Sequence, residues 1–204
     1  MAPKYKLTYF DLGGLGESIR FLFHYGGIEF IDNRVSMADW PALKNSIPLR
    51  QMPLLEVDGK VLHQSVAISR YVGRLVGLAG KNDLEDCEID AVVDTITDFR
   101  LHFMKHRFES NPEAKQALKE KLEKEIKPLI FGQMDLWAQK NNGYLALGRL
   151  TWADVYFVAL IVSFMLSEPE LLENYPNLRA MQQNVLSIPR IKAWVEKRPK
   201  DVVQ

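Results

Sequence analysis

The 204-residue chain is 47% hydrophobic and 25% charged, which excludes a disordered protein and is long enough for one large domain or two small ones. Lysine plus arginine and aspartate plus glutamate balance at 26 each, so no global field draws nucleic acid or an anionic membrane. A single cysteine, Cys87, excludes an internal disulfide framework, and Met-Ala-Pro-Lys-Tyr lacks the apolar run of a secretory signal, so the expected location is cytoplasmic.

Tyr5 to Phe10 alternates as a strand and is broken by Gly13, Gly14 and Gly16. These glycines do not make a dinucleotide fingerprint, because the third glycine is missing at Ile19. Ile19, Leu22 and Phe23 give the next helix its apolar face, Gly26-Gly27 stops it, and Ile28 to Val35 returns to strand. So short a crossover implies a parallel strand pair. Ser36 to Gln51 reads as a loop carrying Trp40, Lys44 and Arg50, a place where ligand contacts tend to sit. Leu54 to Val57 and Lys60 to His63 form a hairpin through Asp58-Gly59, a pair suited to a type I′ turn. Pro53, just ahead of it, is either an ordinary strand-start proline or a cis proline that holds the preceding backbone out for a ligand. Ser65 reads as the cap of a helix with apolar positions Ile68, Tyr71, Val72 and Leu75. With Gln64 it places donors at a helix start where an anionic group could dock.

Around Gly77 to Asp83 the chain turns polar and glycine-containing, and we place a domain boundary there, giving domains of 1–79 and 80–204. The second is expected to be all helical. Ile89, Val92, Val93, Ile96, Phe99 and Phe103 define a long amphipathic helix. Ala117 to Trp137 suggests another, with Leu118, Leu122, Leu129 and Trp137 inward. Thr151-Trp-Ala-Asp154 has the form of a capping box opening an almost wholly apolar segment, Trp152 to Leu166, too short for the roughly 20 residues that span a bilayer. Leu178, Met181, Val185 and Leu186, then Ile191, Trp194 and Val195, close the chain with helices separated by Pro189. Asp90, Asp94 and Asp98 form an acidic stripe whose ordinary explanation is a solvated face. The four histidines, His24, His63, His102 and His106, show no metal-ligand spacing with Cys87, so no metal site is expected.

Tyr5-Lys-Leu-Thr-Tyr-Phe, Asp39-Trp40, Lys44, Met52-Pro53, His63-Gln-Ser-Val-Ala-Ile-Ser-Arg-Tyr71, Val93-Asp-Thr95 with Asp98-Phe99, and Leu150-Thr-Trp-Ala-Asp154 together resemble a cytosolic glutathione transferase of the sigma class. Within it the chain is most similar to the arthropod members and the glutathione-dependent prostaglandin D synthases. The resemblance implies an α/β thioredoxin-like N-terminal domain with a mixed four-stranded sheet, an all-α C-terminal domain, a homodimer and a cis Pro53. It also implies reduced glutathione as co-substrate, with no prosthetic cofactor.

A thiol with pKa about 8.5 is only a few per cent thiolate at neutral pH, and a tyrosine with pKa about 10 stays protonated and can donate to the anion. Read alone, Tyr9 is a core tyrosine with its hydroxyl at the surface; under the resemblance it is the catalytic hydrogen-bond donor to the thiolate. Trp40 and Lys44, otherwise an aromatic anchor and a solvated lysine, would contact the glycyl end, with Gln51 beside them. Met52, ahead of Pro53, would pair its backbone with the cysteinyl unit, and Gln64 and Ser65 would hold the γ-glutamyl carboxylate. Asp98 would reach across the dimer toward the ligand's α-amino group, and Phe10 and Leu15 would border the acceptor site.

Two departures matter. By the resemblance, members of the vertebrate prostaglandin type carry arginine where Leu15 stands and a third acidic residue where Thr97 stands, and the vertebrate acceptor-site tryptophan is replaced near Lys105. The expected activity is therefore conjugation of glutathione to small hydrophobic electrophiles, including lipid-peroxidation products, in a detoxification role. Prostaglandin isomerisation and hydroperoxide reduction are the alternatives, and a non-catalytic crystallin-like protein is the alternative of another class.

Overall fold

The computed structural model describes residues 3–200. Strand β1 (Tyr5–Phe10) is followed by α1 (Gly14–Gly26), β2 (Ile31–Val35), a short α2 (Trp40–Leu43), the hairpin β3 (Leu54–Val57) and β4 (Lys60–His63), and α3 (Ser65–Leu75). The sheet order is β2-β1-β3-β4. β1 and β2 run parallel, and β1–β3 and β3–β4 antiparallel, so the sheet is mixed as expected. Tyr5, Leu7 and Tyr9 alternate inward from β1, and Leu7 pairs with Leu55. Both leucines are wholly buried, so a slip by one residue would expose the face that α1 and α3 cover.

The rest of the described chain is helical: α4 (Asp83–Phe108), α5 (Pro112–Lys121), a π turn (Leu122–Ile126), α6 (Lys127–Lys140), α7 (Trp152–Phe164), α8 (Pro176–Ser187) and α9 (Pro189–Lys197). The six apolar residues expected along α4 are all buried. The fold is thus a thioredoxin-like N-terminal domain with a helical C-terminal domain, and α1 lies between the sheet and α7.

Several local expectations are corrected. β2 begins at Ile31 rather than Ile28, because Gly27, at φ 63°, and Ile28 donate back to the carbonyls of His24 and Phe23 and close α1. Gly14 and Gly16 belong to the first turn of α1 rather than to a preceding turn. Ser65 is the first residue of α3, not its cap; Gln64 precedes it at φ 73° and accepts from Ile68 N–H. Leu75 is exposed, whereas Ile68 and Val72 are buried. The loop 36–51 holds α2 and two 3-10 turns, started where Ser36 and Asp39 bond each other. Leu129 points outward at 70% exposure, and Phe131, Met134 and Ala138 are buried instead. The π turn inserts an extra residue, so a face spaced from Leu122 on an α-helical period shifts toward the C-terminus.

α7 is buried over most of its length and is opened by the Thr151–Asp154 capping box. The Asp154 carboxylate accepts from Thr151 N–H (2.7 Å), the Thr151 hydroxyl (2.8 Å) and Leu145 N–H (2.7 Å). Burial pushes its pKa up to about 6 against the pull of those donors. An unfolded aspartate titrates near 3.9, so the native state holds this proton more tightly. The group's contribution to stability is complete below about pH 4, falls as pH rises through about 6, and is level above that. Relative to Asp154→Asn, the wild-type unfolding free energy should therefore decline by roughly 2 kcal/mol between pH 4 and pH 7. Denaturant titrations of both proteins across that range measure it; a pH-independent difference contradicts the assigned shift.

Candidate active site

The site grows from the end of β1. Tyr9 is 7% exposed, and its ring lies against the first turn of α1. A Cβ added at Gly16 would fall 2.5 Å from the ring, and one at Gly14, which holds φ +46°, would fall 2.8 Å from the hydroxyl. The glycines thus let helix and phenol approach. The Leu15 N–H donates to the Tyr9 oxygen at 3.1 Å, which occupies a lone pair and leaves the hydroxyl proton to donate. Burial raises the phenol pKa above its ordinary value of 10, opposed by the Leu15 bond and by the charges of Arg20 and Arg100. At neutral pH Tyr9 is a protonated donor.

Beside it opens a cavity of about 380 Å³. Its lining includes Phe10 and Leu15 at one wall, Trp40, Lys44, Gln51, Met52 and Pro53 along another, and Gln64 and Ser65 at the start of α3. Met52-Pro53 is cis. Leu49, Arg50 and Gln64, which also line it, hold positive φ, a conformation uncommon for residues other than glycine. No side-chain cap serves the first N–H groups of α3, so they are available to an anion, and no acidic residue lines the cavity. A larger depression, about 530 Å³, bordered by Arg74, Asp86 and Arg149, stands apart from these residues. Both of its arginines are already engaged: Arg74 with Asp86 and Arg149 with Glu85, each at 2.9 Å.

Comparison with known proteins gives this pocket its context. The family described as "Glutathione S-transferase, N-terminal domain" matches residues 5–74, and "Glutathione S-transferase, C-terminal domain" matches residues 97–198. The chain belongs to the glutathione S-transferase family. This transferase is 46% identical over 198 residues to a glutathione S-transferase of Anopheles gambiae, covering 97% of this chain and 98% of that one. It is 37% identical to the hematopoietic prostaglandin D synthase of Homo sapiens, covering 97% and 98%. Its fold matches the solved "prostaglandin synthase D of Nilaparvata lugens" with TM-score 0.94 at 42% identity, over 97% of this chain and all of that one. It is an enzyme that uses reduced glutathione as co-substrate.

In the transferase the structure brings nine of the eleven residues picked from sequence to one cavity. The other two are Tyr9, which lies immediately behind the wall formed by Phe10 and Leu15, and Asp98, exposed on α4. The acidic stripe is split: Asp90 bonds Arg70 at 2.7 Å, whereas Asp94 and Asp98 are exposed. Sequence reasoning missed Arg100 and His63, which line the same cavity. The available signal for Arg100 was a cation four residues after Ile96 and adjoining Phe99, at the border of an apolar stripe.

Because Tyr9 and Gly16 share one space, Gly16→Ala should destabilise the transferase by about 1–3 kcal/mol. Adding Tyr9→Ala should recover part of that loss. A double-mutant cycle in denaturant measures the coupling; strictly additive effects contradict the close approach.

Proposed function

We propose that the enzyme is a sigma-class, homodimeric, cytoplasmic transferase that conjugates the thiolate of glutathione to small hydrophobic electrophiles in detoxification. The observation that carries the reading is the Tyr9 hydroxyl, held by the Leu15 N–H directly behind the wall of an acid-free cavity. In this reading Tyr9 donates its proton in a hydrogen bond to the ionised sulfur. Such a charge-assisted bond contributes about 1.5–3 kcal/mol, enough to lower the thiol pKa by about one to two units.

The remaining assignments follow the ligand's length. Lys44 and Trp40 take the glycyl carboxylate end, with Gln51 beside them. Met52, ahead of the cis Pro53, pairs its backbone with the cysteinyl unit. Ser65, Gln64 and the uncapped start of α3 hold the γ-glutamyl carboxylate. In this reading Asp98, exposed on α4 and outside this chain's own cavity, serves the site of a partner subunit. Residues 1–79 then bind glutathione, and residues 80–204 complete the acceptor pocket together with Phe10 and Leu15.

Prostaglandin isomerisation is the second reading, favoured by the relatives named prostaglandin D synthase. It uses the same thiolate, but Leu15 provides apolar surface where the resemblance expects arginine in members of the vertebrate prostaglandin type. We therefore rank conjugation of apolar acceptors first.

Tyr9→Phe should lower kcat/KM for an aryl halide by about ten- to a hundred-fold while changing the glutathione Kd less than about threefold, because binding is spread over many contacts. Steady-state kinetics with calorimetry decide this; unchanged turnover by the folded variant refutes the role. Asp98→Ala should weaken glutathione binding in a protein that sediments as a dimer. Unaltered affinity in an intact dimer returns Asp98 to a solvated face.

A further inference from the structure

Most of α7 is buried and apolar, and its carboxylate, Asp154, is spent in the capping box. Toward the other end of the helix, Ser163 is the one polar side chain between Phe157 and Phe164. A serine inside a helix ordinarily satisfies itself by bonding the carbonyl four residues back, and Ser163 does donate to Ala159 in that way, at 3.5 Å. That bond uses its proton. Its oxygen has a different partner: it accepts from the N–H of Gly14, in the first turn of α1, at 3.1 Å.

Gly14 is the residue on which the alignment of Tyr9 turns. It holds φ +46°, and a Cβ on it would fall 2.8 Å from the Tyr9 hydroxyl and 2.9 Å from Leu12 Cδ1. Only glycine fits there, yet glycine has the most permissive backbone, so nothing in the residue itself fixes the angle between its own N–H and that of Leu15. Both N–H groups are instead held from outside, Gly14 by Ser163 and Leu15 by the Tyr9 oxygen, each at 3.1 Å. The Leu15 bond lowers the Tyr9 pKa against the effect of burial, so it makes the hydroxyl a stronger donor as well as a better aimed one. The other groups that act on the phenol are Arg20 of α1, Arg100 of α4 and Tyr156 of α7, and a change confined to the Ser163 hydroxyl leaves each of them in place.

We infer that Ser163 is a positioning residue for Tyr9: its hydroxyl, delivered by the helical domain, holds Gly14 so that the Leu15 N–H stays on the phenol oxygen and the phenol proton stays aimed at the glutathione sulfur. The inference rests on the glutathione reading above and adds to it a residue of the second domain that sets the alignment of the donor. Ser163 acts through the backbone of Gly14 and Leu15 alone, and no proton or electron pair moves along this path. Without its hydroxyl the Gly14 N–H loses its acceptor, and the glycine turns to find another, carrying the Leu15 N–H off the phenol oxygen.

The test is the ultraviolet titration of bound thiolate at saturating glutathione, with the pH profile of kcat/KM for an aryl halide, in wild type, Ser163→Ala and Ser163→Thr, and in Tyr9→Phe with and without Ser163→Ala. Ser163→Ala should raise the bound-thiol pKa by about half a unit, move the acidic limb of the profile with it and lower kcat/KM about three- to tenfold, while the glutathione Kd changes less than about twofold. Ser163→Thr keeps the oxygen and should restore most of both. In the Tyr9→Phe background, Ser163→Ala should leave the thiol pKa where Tyr9→Phe alone puts it, because the hydroxyl it positions is gone. Should Ser163→Ala not fold, Ser163→Cys, which keeps the shape but weakens the acceptor, takes its place. A bound-thiol pKa equal in wild type and the folded variant overturns the inference, even if some acceptors are used less well, which would make Ser163 an acceptor contact. An equal rise with and without the Tyr9 hydroxyl overturns it too, as a general effect on packing. A wild-type thiol that binds without any shift, or fails to bind, overturns the glutathione reading and the inference with it.

Discussion

The first turn of α1 is the constraint on which the site depends. The opening N–H groups of a helix have no partners within it, and here two of them are taken from outside: Leu15 donates to the Tyr9 hydroxyl and Gly14 to the Ser163 hydroxyl of α7, each at 3.1 Å. One short segment is thereby fixed to the sheet and to the helical domain together. Behind it, Arg20 binds the Leu12 carbonyl at 2.8 Å as well as Glu17 and Asp32, and Ser18 bonds Ser69 of α3 at 3.0 Å. Glu17 in turn accepts from Trp194 and Arg198 at the end of the described chain, at 2.8 and 2.6 Å. A buried carboxylate and guanidinium satisfied on this many sides hold their geometry, because removing any partner leaves a charge stranded. Tyr9 inherits that rigidity, which is what a donor aimed at a developing anion needs.

Electrostatics divide the cavity by function. Its exposed rim carries Lys44, Arg50 and His63, and its inner side carries Arg100. With no carboxylate among the lining residues, the charges that an anionic ligand in this cavity would meet are those of Lys44, Arg50 and Arg100. Phenol burial works in the same direction: raising the Tyr9 pKa keeps the donor protonated where a lowered value would have produced two competing anions. The wall at Leu15 and Phe10 is apolar.

Where the sequence carried a periodic or turn signal, the fold was legible. The hairpin limits Leu54–Val57 and Lys60–His63, the left-handed Asp58-Gly59 turn, the buried stripe of α4 and the Thr151–Asp154 capping box all rest on local chemistry that a single sequence displays. What escaped was decided by non-local backbone. The π turn at Leu122–Ile126 shifted a helical face with no glycine or proline inside it to announce the change, so Leu129 was placed inward. Gln64 adopts φ 73° without being glycine, which displaced the helix start by one residue. The lining of the cavity was legible only through motif resemblance: Trp40 and Lys44 show no pattern in their loop that separates a ligand contact from an ordinary surface pair. Arg100 was missed because nothing in the local pattern of α4 shows that this position reaches a cavity lined otherwise by residues of the first domain.

The most direct test of the account is a crystal structure of the protein with reduced glutathione. The sulfur is expected within hydrogen-bond reach of the Tyr9 oxygen, the γ-glutamyl carboxylate at Ser65 and the start of α3, and the glycyl carboxylate toward Lys44. A sulfur turned away from Tyr9, or a ligand seated outside this cavity, would contradict it.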